Sequence, residues 1–151
     1  MLKVLSLIVF LLGVQILSAQ LLATVEVKEP IPGACSATKL YALFSGFKGQ
    51  VEPKCPLSKA EIEAKLNSEV QIIKDAPKTK GKLMISCVVN CKGEMVQCKV
   101  DNKSSNAELD KQVLMIFKAL QKWTPGTLDG KEVDCEELYS IEVKKGVIRL
   151  T

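Results

Sequence analysis

Residues Lys82–Val100 read KLMISCVVNCKGEMVQCKV, and this stretch decides the fold of the chain. Two runs rich in β-branched and apolar residues flank the segment Asn90–Gly93, a pattern typical of a β-hairpin. Because side chains alternate between the two faces of a strand, one face of the hairpin carries the more apolar set. That set is Leu83, Ile85, Cys87, Val89, Val96, Cys98 and Val100. Such a face needs a cover from elsewhere in the chain.

The cover is predicted in the segment that follows the hairpin. Ser105 and Glu108 have the spacing of a capping box, in which each side chain bonds the other residue's backbone amide at the start of a helix. Pro125 ends the pattern, since the residue before a proline avoids the helical conformation. We therefore expect a helix of about 16 to 18 residues packed on the hairpin. Its apolar stripe is Leu109, Val113, Ile116, Phe117 and Leu120.

Two further elements complete the predicted domain, which covers residues 58–151. Ser58 and Glu61 form another capping box and predict a helix over Lys59–Ser68. Val133–Val143 alternates in polarity, as a half-buried strand does. The order helix, hairpin, long helix, strand predicts an α+β fold, a two-layer sandwich of about three antiparallel strands covered by two helices. Residues 20–57 show no clear period, and we expect an irregular, cysteine-containing extension there.

The composition excludes several classes of function. The chain has no histidine, which excludes Ser-His-Asp and Cys-His catalysis and histidine-based zinc proteases. The formal net charge is +4, with lysine and glutamate interspersed, so nucleic-acid binding has no support. The acidic residues show no pairing at catalytic spacing. We predict a protein that is not an enzyme and has no catalytic residue, bound metal or cofactor.

The N-terminus has the parts of a secretory signal peptide. Lys3 gives a basic start, Val4–Leu17 is largely apolar, and small residues follow up to Ala19. We predict that residues 1–19 are cleaved off, which places the mature chain in the periplasm or outside the cell. The alternative is that residues 1–23 remain as an inner-membrane anchor facing the periplasm, although their polar residues make a poor spanning helix. Membrane contact is expected only in that case.

All six cysteines follow the predicted signal peptide: Cys35, Cys55, Cys87, Cys91, Cys98 and Cys135. An even number in an exported chain indicates disulfides, and the sequence leaves fifteen pairings open. We expect Cys35 to pair with Cys55, because both lie in the loop-rich extension and closing that loop contributes roughly 3 kcal/mol. Cys87 and Cys98 are expected on one face of adjacent strands, in diagonal positions. No geometric reason joins Cys91 to Cys135.

Other interpretations of the cysteines stay open. One is that some are buried thiols that pack as small apolar side chains. Another is a zinc site formed by Cys87, Cys91, Cys98 and Cys135, although this spacing differs from a usual zinc knuckle and export favours oxidation. A redox-active pair has less support, because the chain contains no Cys-x-x-Cys motif. We favour disulfides.

Five short motifs follow one another through the predicted domain. They are Gly81-Lys82, Val88-Val89-Asn90-Cys91-Lys92-Gly93, Leu109-Asp110, Lys122-Trp123-Thr124-Pro125-Gly126 and Gly130-Lys131-Glu132-Val133. In this order and at this spacing they resemble the C-terminal domain of TonB-type energy transducers, over about Ser58–Val143. The export signal ending in Ala-Gln is similar to those of Bacteroidetes proteins.

The resemblance implies a non-enzymatic protein–protein interaction module of the cell envelope with a role in transmembrane transport. In that family the last strand receives an extended segment of an outer-membrane transporter by strand addition, in which main-chain hydrogen bonds supply affinity. Carried over to this chain, the receiving edge is Val133–Val143. The implied partner-binding residues are Val133, Glu137, Tyr139, Ile141 and Val143. The alternative is that the glutamates of this strand only protect an exposed edge from aggregation.

The chain departs from the family pattern in two respects. A family transducer resembles a membrane-anchored rod with a long proline-rich linker, whereas the six prolines here are scattered. Four cysteines also lie inside the matching region, which indicates disulfide reinforcement. Two alternative functions therefore stay open. One is a short membrane-anchored transducer with residues 1–23 uncleaved, and the other is a secreted, disulfide-stabilised binding domain unrelated to transport.

Overall fold

The computed structural model describes residues 23–27 and 29–151, so the predicted signal peptide lies outside the described residues. The strands and helices of the described part are, in chain order, β1 (Ala23–Glu26), β2 (Lys39–Ala42), β3 (Gln50–Val51), α1 (Lys59–Glu69), α2 (Gln71–Asp75), β4 (Gly81–Val89), β5 (Met95–Asn102), α3 (Ala107–Lys118), β6 (Gly126–Leu128), β7 (Lys131–Val133), β8 (Cys135–Lys144) and β9 (Val147–Leu150). Of the helices in these residues, none has the length and apolar character that crossing a membrane requires.

The main sheet has the strand order β1-β2-β8-β4-β5, and β9 also pairs with β8. Strand β4 is antiparallel to β8 over its whole length, from Gly81 opposite Val143 to Val89 opposite Cys135. Strands β3, β6 and β7 form a second, small sheet. The α+β class is confirmed, and the three antiparallel strands β8-β4-β5 lie at the centre of the predicted domain. The sheet is larger than predicted because the chain before residue 58 adds β1 and β2, and the segment after β8 adds β9.

The apolar face of the hairpin is buried against α3, as predicted. The residues of β4 on this face are at most 2% exposed: Leu83, Ile85, Cys87 and Val89. Those of α3 that share the core cluster are Leu109, Val113, Ile116 and Phe117. The Phe117 ring lies 5.0 Å from that of Tyr139 in β8, so the helix also covers the last long strand. Burial of these side chains is the main favourable term in folding.

The two predicted capping boxes have different outcomes. At α1, the Ser58 amide donates to Glu61 Oε2 at 2.7 Å and the Glu61 amide donates to Ser58 Oγ at 3.3 Å, which confirms the box. At α3, Asn106 is the cap instead of Ser105. The side-chain Oδ1 of Asn106 accepts from the amides of Glu108 and Leu109, both at 3.1 Å, and thereby satisfies two of the free donors of the first turn.

Helix α3 has 12 residues and ends at Lys118, earlier than predicted. Beyond it, Lys122 adopts a left-handed conformation with φ 68°. The chain then bonds the hairpin turn, where the Trp123 amide donates to the Gly93 carbonyl at 3.1 Å. Gly93 has φ +77°, and a Cβ at this position would lie 2.3 Å from the Trp123 carbonyl oxygen. Glycine is therefore required both by the turn and by the returning chain.

Within the hairpin, a β-bulge between Val88 and Val89 shifts the register. Cys87 consequently lies directly opposite Cys98, so the predicted diagonal placement is wrong. A bulge inserts an extra residue into one of the two strands. Residue pairs that are counted outward from the turn by strict alternation are therefore displaced by one position beyond it.

The extension over residues 20–57 is only partly irregular. Strand β2 joins β8 in parallel, with Tyr41 opposite Cys135, and β3 joins β6. Leu40 and Leu43 are 4% exposed and belong to the core. The prediction of an irregular segment fails because short strands of two to four residues leave no period in the sequence, yet their backbone groups find partners at a nearby sheet edge.

The disulfide of the extension joins Cys35 to Cys91 in the hairpin turn, with Cα atoms 6.0 Å apart, so the predicted Cys35–Cys55 bond is wrong. The carboxylate of Asp134 accepts from the amides of Cys35 (3.1 Å), Ser36 (2.6 Å) and Cys91 (2.9 Å). These bonds bring the extension and the turn together. Cys55 lies elsewhere, packed against the main core, and is a free thiol.

Candidate functional site

The predicted receiving edge, Val133–Val143, is covered at both ends. Val133 belongs to β7 and pairs with Gly126 in the small sheet. At the start of β8, Cys135 pairs with β2, and at its end Ile141–Lys144 pairs with β9. The expectation of a free edge is therefore wrong over most of the strand, because neighbouring segments of the same chain complete its hydrogen bonds. In the described part of the chain, Glu136–Tyr139 has no strand opposite it on this side.

In the open stretch, the main-chain N–H and C=O of Leu138 point away from β4, toward the side of β8 where β2 and β9 pair. On the same side of β8, the Asp134 carbonyl accepts from the Tyr41 amide and the Ser140 carbonyl accepts from the Thr151 amide, both at 2.9 Å. Main-chain groups alternate in direction along a strand, so the N–H and C=O of Leu138 point the same way. The gap between β2 and β9 thus presents a donor and an acceptor to a short added strand.

A groove of about 290 Å³ lies beside the open stretch. Leu57 and Ile62 line it from the start of α1, and Leu138 and Leu150 line it from the sheet. Leu138 is 53% exposed. Lys59, Ser140 and Thr151 line the groove as well, so its walls are mixed. Leucine side chains beside main chain that pairs with no other described strand are features that an extended peptide requires from a sheet edge.

The five residues predicted to bind a partner have different environments. Ile141 and Val143 are each 1% exposed and belong to the core. The Tyr139 ring packs at 6.3 Å from Trp123 as well as on Phe117, which makes it chiefly a core anchor. Val133 lies in another sheet. Of the five, Glu137 and Tyr139 lie on the open stretch.

Glu137 is half-buried on the side of β8 that faces the helices. Burial, together with repulsion from Glu52, raises the pKa of Glu137 to about 7. Within the described residues, the ion pairs join Lys65 to Glu69 and Glu142 to Lys82 and Lys144, so none of them neutralises Glu137. A carboxyl group in this state can accept a cationic or hydrogen-bond-donating group from a partner.

Sequence reasoning missed Leu138 and Leu57. Leu138 occupies an outward position in the alternation of β8, where a polar residue is expected, and a large apolar residue there is the signal that could have identified it. Leu57 precedes the N-cap of α1, a position where an apolar residue usually packs on its own helix. The groove brings these two residues together although they are far apart in the chain.

The cysteines of the zinc hypothesis are not brought together, because Cys91 is bonded to Cys35. Among the described residues, one group has potential ligand atoms close enough to hold a metal ion, namely Cys35, Cys91 and Asp134. Its sulfur atoms are joined to each other and its carboxylate accepts backbone amides, so this donor set does not fit a metal. Cys135 is buried and its thiol donates to the Val133 carbonyl at 3.4 Å.

Comparison with known proteins gives one match. The family model described as Gram-negative bacterial TonB protein C-terminal matches residues 75–142. These residues run from the end of α2 to near the end of β8, and they include the hairpin, α3 and the open stretch. No curated protein and no solved structure matches the chain.

Proposed function

We propose that this chain is a protein-interaction module of the Gram-negative cell envelope, because residues 75–142 match the family model of the TonB C-terminal domain. It binds an extended segment of an outer-membrane transporter by strand addition at Glu136–Tyr139. The observation that supports this site is the outward main chain at Leu138 beside a groove that leucine side chains partly line. The module acts on transport through this contact.

The size of the site indicates a weak, transient complex. An added strand on four residues gains only a few main-chain hydrogen bonds, each contributing about 1 kcal/mol net. Alternate side chains of the partner enter the groove, where Leu57 and Leu150 favour an apolar residue. Glu137 favours a partner residue that donates a hydrogen bond or carries positive charge.

The folded extension limits the distance between the domain and the N-terminal segment. Residues 29–57 supply β2 and β3 and are bonded to the domain through Cys35, so they do not act as a rod. The domain therefore works close to the predicted signal or anchor segment. This arrangement suits a periplasmic or secreted module, or a short anchored transducer if residues 1–23 are retained.

Site-specific photo-crosslinking in a Gram-negative host tests the proposal. A photoreactive residue replaces Leu138 in the open stretch, and the matched control replaces Met115, which is also strongly exposed but lies on α3. We expect an outer-membrane transporter, identified by mass spectrometry, to be joined at position 138 and not at 115. Equal yields at both positions, or soluble proteins alone at position 138, would overturn the proposal.

A pair of variants separates main-chain pairing from side-chain contact. Leu138→Pro removes the outward N–H, whereas Leu138→Ala keeps it. We expect Leu138→Pro to retain roughly tenfold less transporter than Leu138→Ala in a pull-down from solubilised outer membranes, the loss expected for about one hydrogen bond. Both variants must melt at similar temperatures for the comparison to hold. Equal retention would rule out strand addition at this residue.

A further inference from the structure

Two thiols meet directly across the hairpin. Cys87 in β4 lies opposite Cys98 in β5, and their sulfur atoms are 3.4 Å apart. A disulfide has a bond of about 2.05 Å, so the two sulfur atoms need to approach by only about 1.4 Å. Strand β5 is an outer strand of the main sheet, and Cys98 is partly exposed on it. Cys87 is fully buried in the core.

The surroundings make the two sulfur atoms chemically unequal. The Cys98 thiolate accepts a hydrogen bond from the Cys87 thiol, and the ammonium group of Lys118 lies near it, so the pKa of Cys98 is lowered. Donation to Cys98, together with burial, raises the pKa of Cys87. A thiolate is the nucleophile in disulfide exchange, and a buried thiol nearby can complete the reaction.

We propose that Cys98 and Cys87 form a thiol–disulfide exchange site whose substrate is a disulfide compound or an exposed protein disulfide. The Cys98 thiolate attacks one sulfur of the substrate, whose S–S bond breaks and releases a thiolate. That thiolate takes up a proton, and a mixed disulfide joins Cys98 to the other half of the substrate. Cys87 then loses its proton and attacks the Cys98 sulfur, which releases the second half as a thiol. The substrate gains two electrons and the protein forms the Cys87–Cys98 disulfide.

The location of the product bond limits how reagents reach it. Cys87 has no solvent-exposed surface, and the hairpin face that carries it is covered by α3. External thiols therefore reach the product only through Cys98. The bond formed ties β5 to β4. This activity does not depend on the docking of a partner strand at β8.

Reaction with oxidised glutathione tests the site. The full chain is used with its Cys35–Cys91 bond intact, and products are followed by intact mass and peptide mapping. The wild-type protein is expected to lose two hydrogens and form the Cys87–Cys98 bond. Cys87→Ala is expected to stop at a mixed disulfide between glutathione and Cys98. The reaction of Cys98→Ser with oxidised glutathione is expected to be slower by about tenfold or by a larger factor.

Cys55 provides the matched control, because it is a free and partly exposed thiol that also lies near the core. Cys55→Ser is expected to react as the wild type does. Cys87→Ser accompanies Cys87→Ala, so that a folding defect of one variant does not decide the result. A wild-type rate in Cys98→Ser, a glutathione adduct on Cys55 in the Cys87 variants, or a bond from Cys55 to either thiol would overturn the proposal.

Discussion

Glu137 couples the stability of the fold to pH. Burial raises its pKa to about 7 in the folded chain, whereas an unfolded glutamate titrates near 4.3. Between these two values the folded state holds the proton more tightly than the unfolded state, so stability falls as the pH rises through this window. Because the side chain is partly solvated, we expect the free energy of unfolding to fall by about 1 to 2 kcal/mol from this residue between pH 4.5 and 8. Urea denaturation at a series of pH values measures it.

The control for this prediction is another glutamate that lies outside the buried face. Glu137→Gln should remove the decline between pH 4.5 and 8, whereas Glu132→Gln, at an exposed position in β7, should leave it in place. A decline of the same size in Glu137→Gln would show that another group is responsible.

At the scale of single residues, the sequence predicted where a special residue lies but not which tertiary contact requires it. The glycine of the hairpin turn, Gly93, was expected from its spacing after Asn90, and the structure has it there with a positive φ. Its close approach to the Trp123 carbonyl involves a residue thirty positions away, and nothing local records such a contact.

At the scale of elements, the disulfide holds β2 against β8. Cys35 and Cys91 are 56 residues apart, and in the chain-entropy model a closed loop of that length contributes roughly 4 kcal/mol. We expect Cys35→Ser to lower the free energy of unfolding by about 2 to 4 kcal/mol in urea titration. Amide exchange at Tyr41, which bonds the Asp134 carbonyl, should accelerate more than exchange within β4.

Cys55→Ser is the matched control, since it removes a thiol but no disulfide. If Cys55→Ser changed the free energy of unfolding and the amide exchange at Tyr41 as much as Cys35→Ser does, the Cys35–Cys91 disulfide would not be what retains β2.

Release of β2 also lengthens the open stretch of β8. Reductant in the pull-down should therefore increase the retained transporter if the receiving edge is limited by this strand.

Elements with a strong local period were predictable. Helix α1 and the hairpin lie where the capping box and the alternation place them, and the N-cap of α3 is one residue after the predicted Ser105. Strands β1, β2 and β3 were not found, because segments of two to four residues are too short to show alternation. They become strands because sheet edges satisfy their backbone groups.

At the scale of the whole molecule, the state of the N-terminus decides how the domain is held in the envelope. Cleavage after Ala19 remains a prediction from the sequence, and it concerns residues outside the described part. We expect the exported protein to begin at Gln20, as measured by intact mass and N-terminal peptide mapping of a periplasmic fraction. A protein that begins at Met1 and sediments with the inner membrane would instead support the anchored transducer.

The sequence by itself determined the α+β class, the central hairpin with its helix cover, and the similarity of residues 75–142 to the C-terminal domain of TonB proteins. Local periods record which side chains of a segment are buried, and that information is contained in neighbouring residues. Only the tertiary structure decided the partner of Cys35, the register that sets Cys87 opposite Cys98, and the part of β8 that stays open. These features join segments far apart in the chain, and they depend on contacts such as the Asp134 carboxylate, which accepts an amide 99 residues away.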